Sequence, residues 1–71
     1  MNFAERLKSL RGEKKATQVM LAQITGLTDR TFRKYESGKI EPTLSVLTAL
    51  ADYFDVSLDY LVGRSDDPAR R

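Results

Sequence analysis

Residues Gln18 to Ser37 read QVMLAQITGLTDRTFRKYES, and this stretch decides the fold. Thr17 and Thr28 each stand where a hydroxyl can accept from a backbone N–H further along, so each marks a helix start. Gly26 tolerates the left-handed conformation that closes a helix. The pattern predicts one short helix from Gln18 to Gly26 and another from Asp29 to Glu36, with only Gly26, Leu27 and Thr28 between them. Helices joined so tightly cannot lie antiparallel and must cross steeply, the geometry of a helix-turn-helix. Ala22 is small enough for the close crossing, and Phe32 and Tyr35 supply core anchors one turn apart.

At 100° per residue, with Asp29 at zero, Asp29, Arg33, Ser37, Arg30 and Lys34 fall at about 0°, 40°, 80°, 100° and 140°. Tyr35, Thr28 and Phe32 gather at about 240°, 260° and 300° on the opposite side. One face is apolar and the other basic. A helix with two arginines and a lysine on its free face can enter a major groove and reach both guanine edges and phosphates. A charged outer face is also what ordinary surface helices show; the small residue at Ala22, the turn at Gly26 and the steep crossing favour the groove-binding reading.

Working outward, Asn2 and Glu5 form a capping-box-like start, and Phe3, Leu7 and Leu10 recur at helical spacing, predicting a first helix from Phe3 to Lys14. Glu41 and Pro42 lead into Thr43, which caps a fourth helix with the stripe Leu44, Leu47, Leu50, Ala51 and Phe54. Ser57 caps a brief fifth helix carrying Leu58 and Leu61 and ending at Gly63. The expected architecture is all-α: a five-helix domain over residues 1–63, then a flexible polar tail over 64–71. Val19 and Met20 are read as core or near-core.

Composition narrows the function. The 71 residues contain no Cys and no His, which removes Ser/His/Asp, Cys/His and thiolate or imidazole zinc chemistry. A core this small leaves little room for a deep substrate pocket, so the chain reads as a non-enzyme with no metal and no cofactor. The longest apolar run, Val19 to Ala22, is far short of the roughly 20 residues that span a bilayer, and the early charges Glu5, Arg6 and Lys8 do not fit a secretion signal. A cytoplasmic protein with no membrane partner is expected. Net charge is only +2, yet residues 1–40 hold nine Lys/Arg against four Asp/Glu, while residues 41–71 hold three against six. The basic charge lies in the half that contains the helix pair.

The sequence also resembles the XRE helix-turn-helix family of bacterial and phage regulators, which includes the lambda-type repressor and Cro proteins. The likeness runs from about residue 3 to residue 63 and is carried by Leu7, Leu10, Arg11, Thr17-Gln18, Leu21-Ala22, Gly26, Leu27-Thr28, Phe32, Tyr35-Glu36, Gly38, Pro42, Leu47, Ala51, Val56-Ser57-Leu58, Leu61 and Gly63. The family's docking geometry, in which the second helix of the motif lies in the major groove, comes with the resemblance. So do residue roles. Asp29, Arg30 and Lys34 match base-reading positions, with Arg33 beside them. Thr17, Gln18, Thr28, Ser37 and Lys39 match phosphate-contacting positions, and a helix N-terminus independently favours an anion at Thr17 and Gln18. Arg11 and Glu36 match a structural ion pair.

Asp29 is a departure, because phosphate repels it unless it accepts from cytosine N4, orients a neighbouring arginine, or simply complements the helix dipole. The resemblance implies a double-stranded DNA-binding transcriptional regulator, most readily a repressor, bacterial or phage-encoded and nucleoid-associated. One helix reads few base pairs, so a homodimer on a pseudo-palindromic operator is expected, with Val56, Leu58, Tyr60 and Leu61 as candidate dimer surface. The alternative is a protein-interaction module, an antitoxin or adaptor, built on the same fold and using Val19, Met20 and the acidic half as its surface.

Overall fold

The computed structural model describes residues 1–70. Its elements are α1 (Phe3–Lys14), α2 (Gln18–Thr25), α3 (Asp29–Glu36), α4 (Leu44–Phe54) and α5 (Leu58–Leu61). Every start is capped as the sequence requires. Asn2 Oδ1 accepts from the Glu5 N–H at 2.9 Å while Glu5 Oε1 accepts from the Asn2 N–H at 3.3 Å. The hydroxyls of Thr17, Thr28, Thr43 and Ser57 accept from the N–H groups of Met20, Thr31, Val46 and Tyr60. Each cap satisfies a donor that the first helical turn leaves without a partner.

Helix ends are less uniform. Gly26 closes α2 at φ 72°, but Lys15 and Asp55 close α1 and α4 at φ 53° and 56° with side chains attached. Left-handed backbone strains a residue that carries a Cβ. Lys15→Gly is therefore expected to stabilise the domain by about 0.5–1 kcal/mol, read as a raised urea midpoint at unchanged slope.

The helices pack in a closed cycle: α1 against α3, α3 against α2, α2 against α4, α4 against α5, and α5 back against α1. Leu7, Leu21, Phe32, Leu50, Phe54 and Leu61 fill the centre, fully buried. Gly63, at φ 84°, lets the α5 exit lie directly on the N-terminal backbone, where a Cβ would collide with the Met1 carbonyl.

Several apolar expectations need correction. Val19 and Met20 are 53% and 42% exposed. The core stripe of α2 is centred between Leu21 and Ala22, and Val19 and Met20 lie about 110° and 150° from that centre. Leu44 is 71% exposed at the first position of α4, and Val46 is buried instead.

The polar tail makes contacts back to the domain as far as Arg70; Arg71 lies outside the described residues. The Ser57 N–H donates to Pro68 O at 3.1 Å. Arg70 donates to Ala51 O at 3.3 Å and to Asp52 Oδ1 at 2.6 Å. A guanidinium among the last carbonyls of α4 complements the negative end of its dipole.

Candidate nucleic-acid interface

Phe32 and Tyr35 fix the orientation of α3. Their rings meet edge to face at 5.2 Å, and Tyr35 meets Phe3 of α1 in the same way at 6.0 Å. Burial raises the Tyr35 phenol above its usual pKa, which keeps it neutral and compatible with the core. With that side committed inward, Arg30, Arg33 and Lys34 are exposed on the opposite side. Together with Ser37 and Lys39 they line a shallow depression of about 360 Å³. Among the described residues, the four lining cations carry no opposing carboxylate except the one on Asp29, whose Oδ2 accepts from Arg33 Nη1 at 2.7 Å. That hydrogen bond is the main reason the Asp29 carboxyl is held below the usual aspartate range, with first-turn backbone N–H groups adding to it.

A second set of contacts fixes the ends of the motif to each other. Glu36, the last residue of α3, is 7% exposed. Its carboxylate accepts from Arg11 Nε at 2.7 Å, from Arg11 Nη2 at 2.9 Å and from Gln18 Nε2 at 3.2 Å. Arg11 also donates to Ala16 O at 3.3 Å, just before α2. The two-pronged bond to Glu36 is the largest cause of a raised Arg11 pKa. Gln18 reaches this network because it lies within the arc between Leu21 and Ala22 on the α2 wheel. The start of α2 is thereby held beside the end of α3, so Thr17, Gln18, Ser37 and Lys39 belong to one region.

Several of the hydroxyls there are already engaged. Thr17 and Thr28 accept cap bonds, Thr28 also pairs with the Thr31 hydroxyl at 3.0 Å, and Ser37 Oγ donates to Lys34 O at 3.0 Å. What remains for an anion at α2 is the pair of first-turn N–H groups on Gln18 and Val19, which the helix itself does not use.

The four residues expected to form a dimer surface do not behave alike. Val56 and Leu61 are buried in the core, so neither presents a surface. Tyr60 lies under the Arg6 guanidinium, 3.8 Å from its ring centre. Of the four, Leu58 is the exposed one. The alternation of small core and surface positions in so short a helix gave no periodicity by which to separate them.

Arg6 itself escaped the sequence reading. It is buried, donates to Ser65 O at 3.3 Å and lies 3.5 Å from Asp66 Oδ1. Its Nε has no partner among the described residues. The signal was its position at the edge of the Phe3–Leu10 stripe, where a long cationic side chain covers apolar surface. Among the described residues, no three His, Cys, Asp or Glu side chains are grouped to hold a metal ion, and no helix is long and apolar enough to cross a membrane.

Two short helices that pack together across a three-residue turn, with a basic face on the second, define a helix-turn-helix. The chain belongs to that family: the helix-turn-helix family model matches residues 7–61. An uncharacterised HTH-type transcriptional regulator of Bacillus subtilis, YobD, is 38% identical over 66 residues, covering 93% of this chain and 59% of that protein. The cryptic phage CTXphi transcriptional repressor RstR of Vibrio cholerae is 38% identical over 64 residues, covering 90% of this chain and 57% of that one. The crystal structure of the P22 c2 repressor in complex with a synthetic operator superposes with a TM-score of 0.83 at 26% identity, covering 92% of this chain and 98% of the other. The chain spans 56–59% of the length of three curated relatives from Bacillus subtilis.

Proposed function

We propose that this chain binds double-stranded DNA sequence-specifically as the reading domain of a transcriptional regulator, a repressor in the first instance, acting at the bacterial nucleoid in the cytoplasm. The observation that carries the proposal is the division of α3 into an anchored side, Phe32 and Tyr35, and a free side bearing Arg30, Arg33 and Lys34. The similarity to regulators and to an operator-bound repressor supports it. Arg30, Lys34 and Arg33, with Asp29, meet base edges. Thr17, Gln18, Thr28, Ser37 and Lys39 meet phosphates, at α2 chiefly through backbone N–H groups. The two sets divide the work: phosphate contacts supply affinity and register, and base edges supply sequence.

A second copy is part of the mechanism. The longest dimension of the domain is 30 Å, shorter than the roughly 34 Å between half-sites one helical turn apart. One copy therefore reads one half-site, and Leu58 is the remaining exposed candidate for the contact between copies.

Selection of bound sequences from random duplex, followed by titration of the best site at rising salt, tests the proposal. Enriched sites with two-fold symmetry and a log–log salt slope steeper than about three are expected. A flat salt response and no enriched site would contradict it, and would favour the protein-interaction reading, for which the exposed Val19 and Met20 offer a surface. In the selected site, Arg30→Ala is expected to relax preference at one base position by roughly tenfold, as the loss of one base-edge contact does. Uniform weakening across all sequences would make Arg30 a phosphate contact instead.

A further inference from the structure

We propose that Asp29 is a specificity-determining positioning residue: it holds Arg33 in one orientation, so that Arg33 reads a base edge instead of neutralising a phosphate. The inference rests on the reading of α3 as the helix that enters the major groove. Its own support is the 2.7 Å bond from Arg33 Nη1 to Asp29 Oδ2, between residues one turn apart on the free face. Arg30 and Lys34, on the same face, have no ion-pair partner among the described residues.

An unrestrained arginine on a DNA-facing helix sweeps a wide arc and meets phosphate most easily, because phosphates surround the groove on both sides. Here Asp29 occupies one terminal nitrogen of Arg33 and leaves the Nε–Nη2 edge free. That edge has the spacing of two donors required by guanine O6 and N7. The pair as a whole is close to neutral, so phosphate attracts it little, while a base edge still finds its donors. Entering the groove excludes water from the pair and strengthens it, so the restraint is greatest where it is used. The hydrogen bond also holds the Asp29 carboxyl below the usual range, so the restraint stays charged into mild acid as well as at neutral pH. Helix capping does not need this aspartate, since the Thr28 hydroxyl already accepts from the Thr31 N–H at 3.2 Å.

The test compares wild type, Asp29→Ala, Asp29→Asn, Arg33→Ala and the double variant Asp29→Ala with Arg33→Ala. Each is carried through site selection from random duplex and through salt titration on both the wild-type site and an unrelated duplex. Thermal melting confirms that each variant is folded. Wild type is expected to prefer guanine at one position of each half-site. Asp29→Ala and Asp29→Asn are expected to lose about tenfold of that preference. Affinity of Asp29→Ala for unrelated duplex is expected to rise several-fold, and its salt slope to steepen by about one, because the freed Arg33 now meets a phosphate. Arg33→Ala should lose the same guanine preference, and adding Asp29→Ala should change that preference no further.

An unchanged selected motif in Asp29→Ala and Asp29→Asn would overturn the inference and leave Asp29 as a residue that complements the helix dipole. A wild-type protein that selects no site at all would bring down the DNA-binding reading itself, a different and distinguishable result.

Discussion

Arg11→Ala is expected to unfold most of the domain at room temperature and neutral pH. The Glu36 side chain is 6% exposed and that of Arg11 27%, so removing the arginine strands the more deeply buried partner. The carboxylate keeps one neutral donor, Gln18 Nε2. Uncompensated burial of a charge costs about 3–5 kcal/mol, and a single core of this size rarely supplies more than about 3–5 kcal/mol in total. Urea titrations of wild type and variant measure this loss. Glu36→Ala should cost less, because the partly exposed Arg11 can turn towards water. Equal costs for Arg11→Ala and Glu36→Ala would contradict the buried-charge explanation.

Phe32→Ala is expected to be at least as damaging for a different reason. The ring is fully buried and meets Tyr35, which in turn meets Phe3, so it links α3 to α1 through an aromatic chain. Truncating a buried Phe costs about 3–5 kcal/mol, and losing an edge-to-face pair adds about 0.5–1.5 kcal/mol. Phe32→Leu should cost far less and keep DNA affinity within a few-fold, since an aliphatic anchor still fixes the helix. Circular dichroism melting separates the variants: no cooperative transition for alanine, a lowered but cooperative one for leucine.

The helices were legible because each is bounded by a residue whose side chain does one local job. Asn2, Thr17, Thr28, Thr43 and Ser57 all cap where their positions require, and Gly26 closes α2 in left-handed backbone. The free face of α3 was legible because eight residues of helix with two aromatics one turn apart leave one orientation. What the sequence did not show depends on packing between elements. Whether Val19 or Leu21 faces inward depends on how α2 meets α3 and α4, and an apolar run of four residues carries no period to choose between them. Arg6 showed only its place at the edge of the α1 stripe, because its burial depends on Tyr60 and Ser65, which lie far along the chain. Arg70 likewise meets α4 only after the chain doubles back. The Asp29–Arg33 bond was legible as one alternative, since an aspartate and an arginine one turn apart are within reach on any helix.

The most direct test of the central claim, that the free face of α3 is the surface that meets DNA, is a titration of isotope-labelled protein with its selected duplex, followed by amide NMR. The largest shifts are expected over residues 28–39 and at Gln18 and Val19, with little change at Thr48, Leu58 and Asp59, which line a cleft between α4, α5 and residues 65–70. Shifts concentrated in that cleft, with Arg30, Arg33 and Lys34 unaffected, would contradict the account.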